Sequence, residues 1–241
     1  MNAKPEGTTP QGTTPSLQAD LARLEAIVRA LEANDLDLDT ALADPAWAVL
    51  EAEWTQGRLG SRDCLARQIP LIRGGWPAME RVLQTVTVDP TLAGFAAWCV
   101  AHAVPLIVVS DGLDRIIEWI LARERIRVDA IWANHLVIAE DGALSVTFPH
   151  PPRDRDCHAG LCKCQVLADV PSRRVVIGDG LSDLCWASQA DDCFAKGRLL
   201  ASCRAQHIAC EPFEDFTTIQ DRLASLVVEA PSISTASLST R

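Results

Sequence analysis

The chain has 241 residues, 48% of them apolar, enough to bury the core of one large domain or of a domain with a smaller companion. Its 32 acidic against 22 basic residues give a net charge of −10 with no basic stripe, which argues against a nucleic-acid binder. No apolar run reaches the ~20 residues that span a bilayer, and nine scattered cysteines fit reduced thiols in a cytoplasmic protein better than a disulfide framework.

Residues 1–16 repeat the string GTTP and lack the apolar stretch of a signal peptide or anchor, so they predict a disordered tail. Residues 229–241, rich in Ser and Thr, predict a second one. Leu21, Leu24, Ile27, Val28 and Leu31 follow the spacing of an amphipathic helix. Pro45 suits the first turn of the next helix, which carries Trp47, Leu50 and Trp54 and stops at Gly57. Ser61 is a cap for a third helix bearing Cys64, Leu65, Gln68, Ile69 and Ile72, and a fourth is expected over 77–85. Residues 17–88 thus form an all-helical segment.

After Asp89-Pro90 the pattern changes. A helix over 91–103 leads into the apolar run 104–109, a buried strand ending at Ser110. A helix over 113–123 follows, then strands at 128–138 and 143–148 joined at Asp141-Gly142, a common hairpin turn. Beyond a loop over 149–160 and a short helix, the strand 174–177 ends in Gly178-Asp179-Gly180. Next come a helix over 182–190, a short strand near Cys193, a helix over 197–206, a strand at 208–210 and a last helix to about 228. Unalternating apolar strands separated by helices predict an α/β unit over 89–228, with a parallel sheet covered by helices on both faces.

Ligands of open parallel sheets lie at the carboxyl ends of the strands. In VVSDGLD, the Ser110 hydroxyl, Asp111 and the turn at Gly112 suit a phosphate oxygen at a helix start, and they equally suit an ordinary helix cap. In VIGDGLSD, Asp179 leaves a buried strand, Gly180 makes the turn, and Asp183 lies in the first turn of the following helix. Two carboxylates on one turn can direct oxygens at a hard cation such as Mg2+, which neutralises phosphate oxygens during transfer. Turn chemistry alone would also place Asp and Gly there. Lys163 is a compact charge suited to a phosphoryl group, or else a solvated surface lysine. With Arg153 and Arg155 it makes a local positive spot that suits a small anion. The same stretch offers zinc ligands in His150, Cys157, His158, Cys162 and Cys164, although C-x4-C-x-C departs from the paired C-x2-C form. Cys64, Cys99, Cys185, Cys193, Cys203 and Cys210 read as small core residues.

Ser in SDG, then Lys, then GDGxSD, in that order, resembles motifs two to four of the haloacid dehalogenase superfamily. The likeness is to its phosphoserine phosphatase-like subfamily, and within that to the 2-hydroxy-3-keto-5-methylthiopentenyl-1-phosphate phosphatase group. DPAWAVLEAEWTQGRLGSRDCLARQ, TFPHPP, GLCKC and DDCFAKGRLL extend it over about residues 43 to 216. The resemblance implies a Rossmann-like core with a helical cap over about 44–86, and a Mg2+-dependent phosphoric monoester hydrolase acting on a small phosphorylated metabolite. It implies that Ser110, with Asp111 and Gly112, holds the phosphate. Lys163 would stabilise the developing charge, Asp179 would bind magnesium, and Asp183 would complete the acidic pair. The family opens with a central strand ending in DxDGT, whose first Asp attacks phosphorus and whose second is general acid and base. That motif is not found. The stretch from Arg23 to Arg29 is helical in pattern and has no Asp, while the DLDLDT string at 35–40 imitates the motif without its glycine or a preceding strand. Two readings follow. One is a phosphatase whose nucleophile is Asp35 or Asp37 or is obscured by a wrong gene start. The other is a catalytically inactive relative serving as a phosphate-ligand binder or interaction protein.

Overall fold

A computed structural model describes residues 45–154, 157–168 and 173–229. The helix expected around 21–31, the DLDLDT string and the tails up to residue 16 and beyond 229 lie outside the described residues. Helix α1 spans Pro45–Thr55. Helix α2 (Ser61–Gln68) is shorter than the sequence pattern implied, because Pro70 lacks an N–H and its ring bars further α-helix; Ile69–Leu71 tightens to a 3-10 turn. Helix α3 (Gly75–Leu83) follows Gly74, whose φ of 76° is a left-handed conformation that favours glycine.

The α/β part runs α4 (Leu92–Ala101), β1 (Ile107–Leu113), α5 (Asp114–Arg123), β2 (Ala130–Ile138), β3 (Leu144–Thr147), α6 (Lys163–Ala168), β4 (Val175–Gly178), α7 (Leu184–Ala187), β5 (Asp192–Ala195), α8 (Gly197–Ala205), β6 (Glu211–Pro212) and α9 (Phe216–Glu229). The helix expected over 182–190 is replaced by a 3-10 turn at Leu181–Asp183 followed by the short α7. The strand expected at 208–210 forms at β6 instead.

Strands β1 and β2 are parallel, and β2 and β3 form the expected antiparallel hairpin. At its turn Gly142 has φ 83°, and the Asp141 carboxylate accepts the Ala143 N–H at 3.0 Å. Strands β4, β5 and β6 are all parallel. The strands therefore form two three-stranded sheets, and among the described residues β1 pairs only with β2, and β4 only with β5. Side chains join the two sheets. Val109 of β1 packs into the cluster of Leu167, Val176, Trp186, Ala195, Leu199 and Cys203, on the face covered by α6, α7 and α8. Leu106 and Val104 pack with Phe95, Phe194, Phe213 and Ile219 on the opposite face, under α4 and α9. Val176 and Ala195 point to one face while Val175, Ile177 and Phe194 point to the other, so both faces are covered as expected. Each fully buried Leu or Phe contributes ~1.5–3 kcal/mol.

The helical segment does not stand apart. Leu65, Ile69, Ile72, Trp76 and Met79 pack on Leu113, Leu136, Leu144 and Val146, which closes α2 and α3 over the β2–β3 hairpin.

Candidate functional site

The strand expected to end at Ser110 continues to Leu113, but its ladder is broken. Val109 pairs with Trp132 and Leu113 with Asn134, so residues 110–112 stand against Ala133 alone, two more than the register needs, and bulge from it. Bulges of this kind re-aim side chains and recur beside active sites. Within the bulge the Ser110 hydroxyl accepts the Gly112 N–H at 3.0 Å. Asp111 is committed on both oxygens. One accepts the Leu161 N–H at 2.9 Å and lies 3.3 Å from the Asn134 amide; the other accepts the Ser61 hydroxyl. The Asn134 amide also donates to the Asp111 carbonyl at 2.7 Å. Ser61 therefore does not act as the expected cap: Gly60 occupies the cap position of α2 and makes no side-chain bond, while the Ser61 hydroxyl reaches β1.

Leu161 leads directly to Lys163, the first residue of α6. The lysine is 8% exposed, so it is not a solvated surface lysine. Its ammonium donates to Asp183 at 2.6 Å and lies 5.4 Å from the centre of the Trp186 ring. The second Asp183 oxygen accepts the Asp179 N–H at 3.2 Å and the Gly180 N–H at 3.0 Å. This carboxylate, 5% exposed, thereby folds the turn after β4 and holds the lysine in the same place. Gly178 makes room for it, since a Cβ there would stand 2.7 Å from the Asp183 carboxyl carbon. The Asp179 carbonyl accepts the Leu199 N–H at 2.9 Å, which ties the turn to α8. A continuous chain of bonds thus links the Ser110 bulge, the loop before Lys163, and the turn carrying Asp179 and Asp183.

The magnesium expectation can be tested against this donor set. Magnesium needs six oxygens in near-octahedral array. Both Asp183 oxygens are already bonded to an ammonium and two amides, and among the described residues no group of three carboxylates or imidazoles converges near Asp179. The described residues do not fit the ion by themselves.

The two histidines of the expected zinc set stand outside the thiol group. His150 lies against the Trp132 ring at 4.6 Å, and the His158 carbonyl accepts the Arg62 N–H at 3.2 Å. The Cys162 and Cys164 sulfurs lie 2.8 Å apart, and Cys185, expected in the core, is exposed and joins them. Cys64, Cys99, Cys193 and Cys203 are buried as expected. Burial and the Glu51 charge push the Cys64 thiol up to about 12, and burial with the Asp129 charge raises Cys99 to about 11. Two cavities, of about 410 Å³ beside Lys196 and Asp215 and of about 260 Å³ beside Arg62 and His158, are lined by none of Ser110, Lys163, Asp179 or Asp183.

Sequence reasoning missed Asn134 and the bond from Ser61 to Asp111. Asn134 is wholly buried in the strand AIWANHLVI, and an amide among mostly apolar residues was the available signal. Gly160 packs on it so closely that a Cβ would lie 2.6 Å from the amide nitrogen.

Residues 17–188 match the family model described as haloacid dehalogenase-like hydrolase. The chain belongs to the haloacid dehalogenase-like hydrolase family. It is 31% identical over 154 residues, 62% of this chain and 69% of the relative, to a 2-hydroxy-3-keto-5-methylthiopentenyl-1-phosphate phosphatase of Bacillus thuringiensis subsp. konkukian (strain 97-27). Its fold is similar to that of a probable phosphoserine phosphatase from Vibrio cholerae, with TM-score 0.59, 18% identity, and 87% of this chain and 62% of that chain covered. A haloacid dehalogenase family hydrolase from Salmonella enterica serovar Typhi gives TM-score 0.60 and 18% identity, with 87% and 66% covered. The chain thus spans less than two thirds of both solved structures. The α/β fold of this haloacid dehalogenase-like chain and its kinship with phosphatases of small phosphoesters agree with what the motifs implied. No helix among the described residues is long and apolar enough to cross a membrane.

Proposed function

We propose that this haloacid dehalogenase-like protein recognises a small phosphomonoester of the cytoplasm, its phosphate received between the Ser110 bulge and Lys163. The observation that carries the reading is the buried Lys163 ammonium, held at 2.6 Å by Asp183 next to the Asp179 turn. A preorganised cation in a dry site stabilises developing phosphoryl charge without reorganising. In this reading Ser110 contacts phosphate, and Asp111 and Asp183 position the two turns. The helices α1 to α3 act as the cap that selects the substrate. The Bacillus relative's name makes a phosphorylated keto metabolite the substrate class to try first.

Hydrolysis requires an attacking carboxylate, because uncatalysed phosphate monoesters are among the slowest substrates known. In the active reading Asp35 or Asp37 supplies it. The second reading, an inactive phosphate-ligand binder, is favoured by the missing DxDGT motif and by the small oxygen set around Asp179. Very low turnover is therefore the expected outcome. Hydrolysis of p-nitrophenyl phosphate with magnesium separates the two when run on the full chain and on Asp35→Asn and Asp37→Asn. Turnover abolished by either substitution establishes the active reading. Phosphate binding, measured by calorimetry, is expected to weaken about tenfold or more in Lys163→Met, a loss of ~1.4 kcal/mol. Binding unchanged in both Lys163→Met and Ser110→Ala would refute the site itself.

A further inference from the structure

Three segments bring a set of thiols together beside Lys163. Cys162 precedes α6 and Cys164 lies in its first turn, so they flank the lysine; Cys185 comes from α7. The sulfurs of Cys162, Cys164 and Cys185 all lie within 4.8 Å of one another. Cys157 stands in the loop ahead of them, outside this cluster but in the same segment as Cys162. Cys162 is buried, Cys157 and Cys164 are half-buried, and Cys185 is exposed, so the group opens to solvent on one side. Cys193 and Cys203, in contrast, are sealed in the core between β5 and α8.

We propose that Cys157, Cys162, Cys164 and Cys185 form a thiolate site for a soft divalent metal, zinc in the first instance. Zinc takes four ligands at ~2.3 Å in a tetrahedron, which sets its sulfurs about 3.8 Å apart. Cys162 and Cys164 need only open by about an ångström from 2.8 Å to meet that spacing, and the Cys185 sulfur lies within 4.8 Å of both, so three ligands are in place and the Cys157 loop would swing in to supply the fourth. Each thiol releases its proton to solvent as it binds. All four ligands are cysteines, which selects zinc over the magnesium that oxygen ligands favour. The site would clip the 157–164 loop to α7, and so hold Lys163, which stands between Cys162 and Cys164, against Asp183. It is structural and does not depend on the phosphatase reading.

The test is metal binding by the reduced full-length chain. Zinc is expected to bind at one equivalent, with Kd on the order of 10⁻⁸ M or tighter in competition with a chromogenic chelator. Cobalt substitution should give an intense thiolate-to-metal charge-transfer band and the visible bands of a tetrahedral site. Cys162→Ser and Cys185→Ser should each weaken zinc by more than the about 10–100-fold that losing an outer partner costs, while Cys99→Ala leaves it unchanged. If the serine variants fail to fold, the wild-type competition and cobalt spectrum decide alone. A reduced wild-type chain that holds no zinc and shows no charge-transfer band overturns the proposal. So does full affinity in Cys162→Ser and Cys185→Ser, or a Cys162–Cys164 disulfide whose reduction leaves a chain that binds no metal.

Discussion

Replacing Asp183 by Asn removes one charge from a pair whose side chains are 10% and 7% exposed, without changing its shape. Removing one partner of a buried ion pair leaves the other charge uncompensated, at a cost of ~3–5 kcal/mol. The Asn oxygen can still accept the Asp179 and Gly180 amides, but its NH₂ group then faces the Lys163 ammonium, donor against donor. For a chain of this size each kcal/mol moves Tm by roughly 2–4 °C, so Asp183→Asn is expected to lower Tm by about 6–20 °C. Lys163→Met alone should cost a similar amount by stranding the carboxylate. The double variant Lys163→Met/Asp183→Asn carries neither charge and should recover much of the loss, since buried pairs replaced by neutral groups are often near neutral in stability. Urea unfolding followed by circular dichroism on all four proteins gives the coupling energy. A coupling below about 0.5 kcal/mol, the scatter of independent sites, would show that the pair is solvated and would undo the argument that Lys163 is preorganised.

Gly178→Ala is expected to destabilise by ~1–3 kcal/mol, because its Cβ would stand 2.7 Å from the Asp183 carboxyl. The same substitution in an Asp183→Ala background should cost much less, and an equal cost in both, read by the same urea unfolding, would refute the steric cause. Asp114 gives a pH prediction. Burial pushes its carboxyl up, but hydrogen bonds from the Leu136 N–H, the His135 ring and the Arg115 N–H outweigh this and hold it below the usual carboxylate value. The resulting stability is present above the unfolded-state value near ~3.9 and is lost as pH falls through the lower folded-state value. Asp114→Asn should therefore lower Tm at pH 7, with the gap narrowing below about pH 4; a gap constant across that range would contradict the assignment.

Much of the fold was legible because strand and helix periodicities are local. Val175-Val176-Ile177 reads as a strand buried on both faces, and the structure packs Val176 one way and Val175 and Ile177 the other. The Asp141-Gly142 hairpin was equally plain, since a left-handed glycine and an aspartate that bonds two residues ahead are properties of the turn itself. Ser110 and Asp179 could be found for the same reason, since polar residues following an apolar run stand out in a single sequence, although the strand bearing Ser110 continues through its bulge to Leu113.

What the sequence by itself determined was the order of elements, the α/β class and the list of polar residues at the strand ends. Tertiary structure alone decided what those residues are bonded to. Asp183 looked like half of a metal pair but spends one oxygen on Lys163 and the other on two amides. Asp111 looked like a phosphate neighbour but ties Ser61 and Leu161 to β1 across 50 residues of chain. Cys185 read as a core residue and lies exposed beside Cys162 and Cys164. The physical reason is common to all three. Backbone conformation follows from near neighbours, whereas a carboxylate or thiol has several equivalent partners in sequence, and only the packing of distant segments brings one of them within bonding distance.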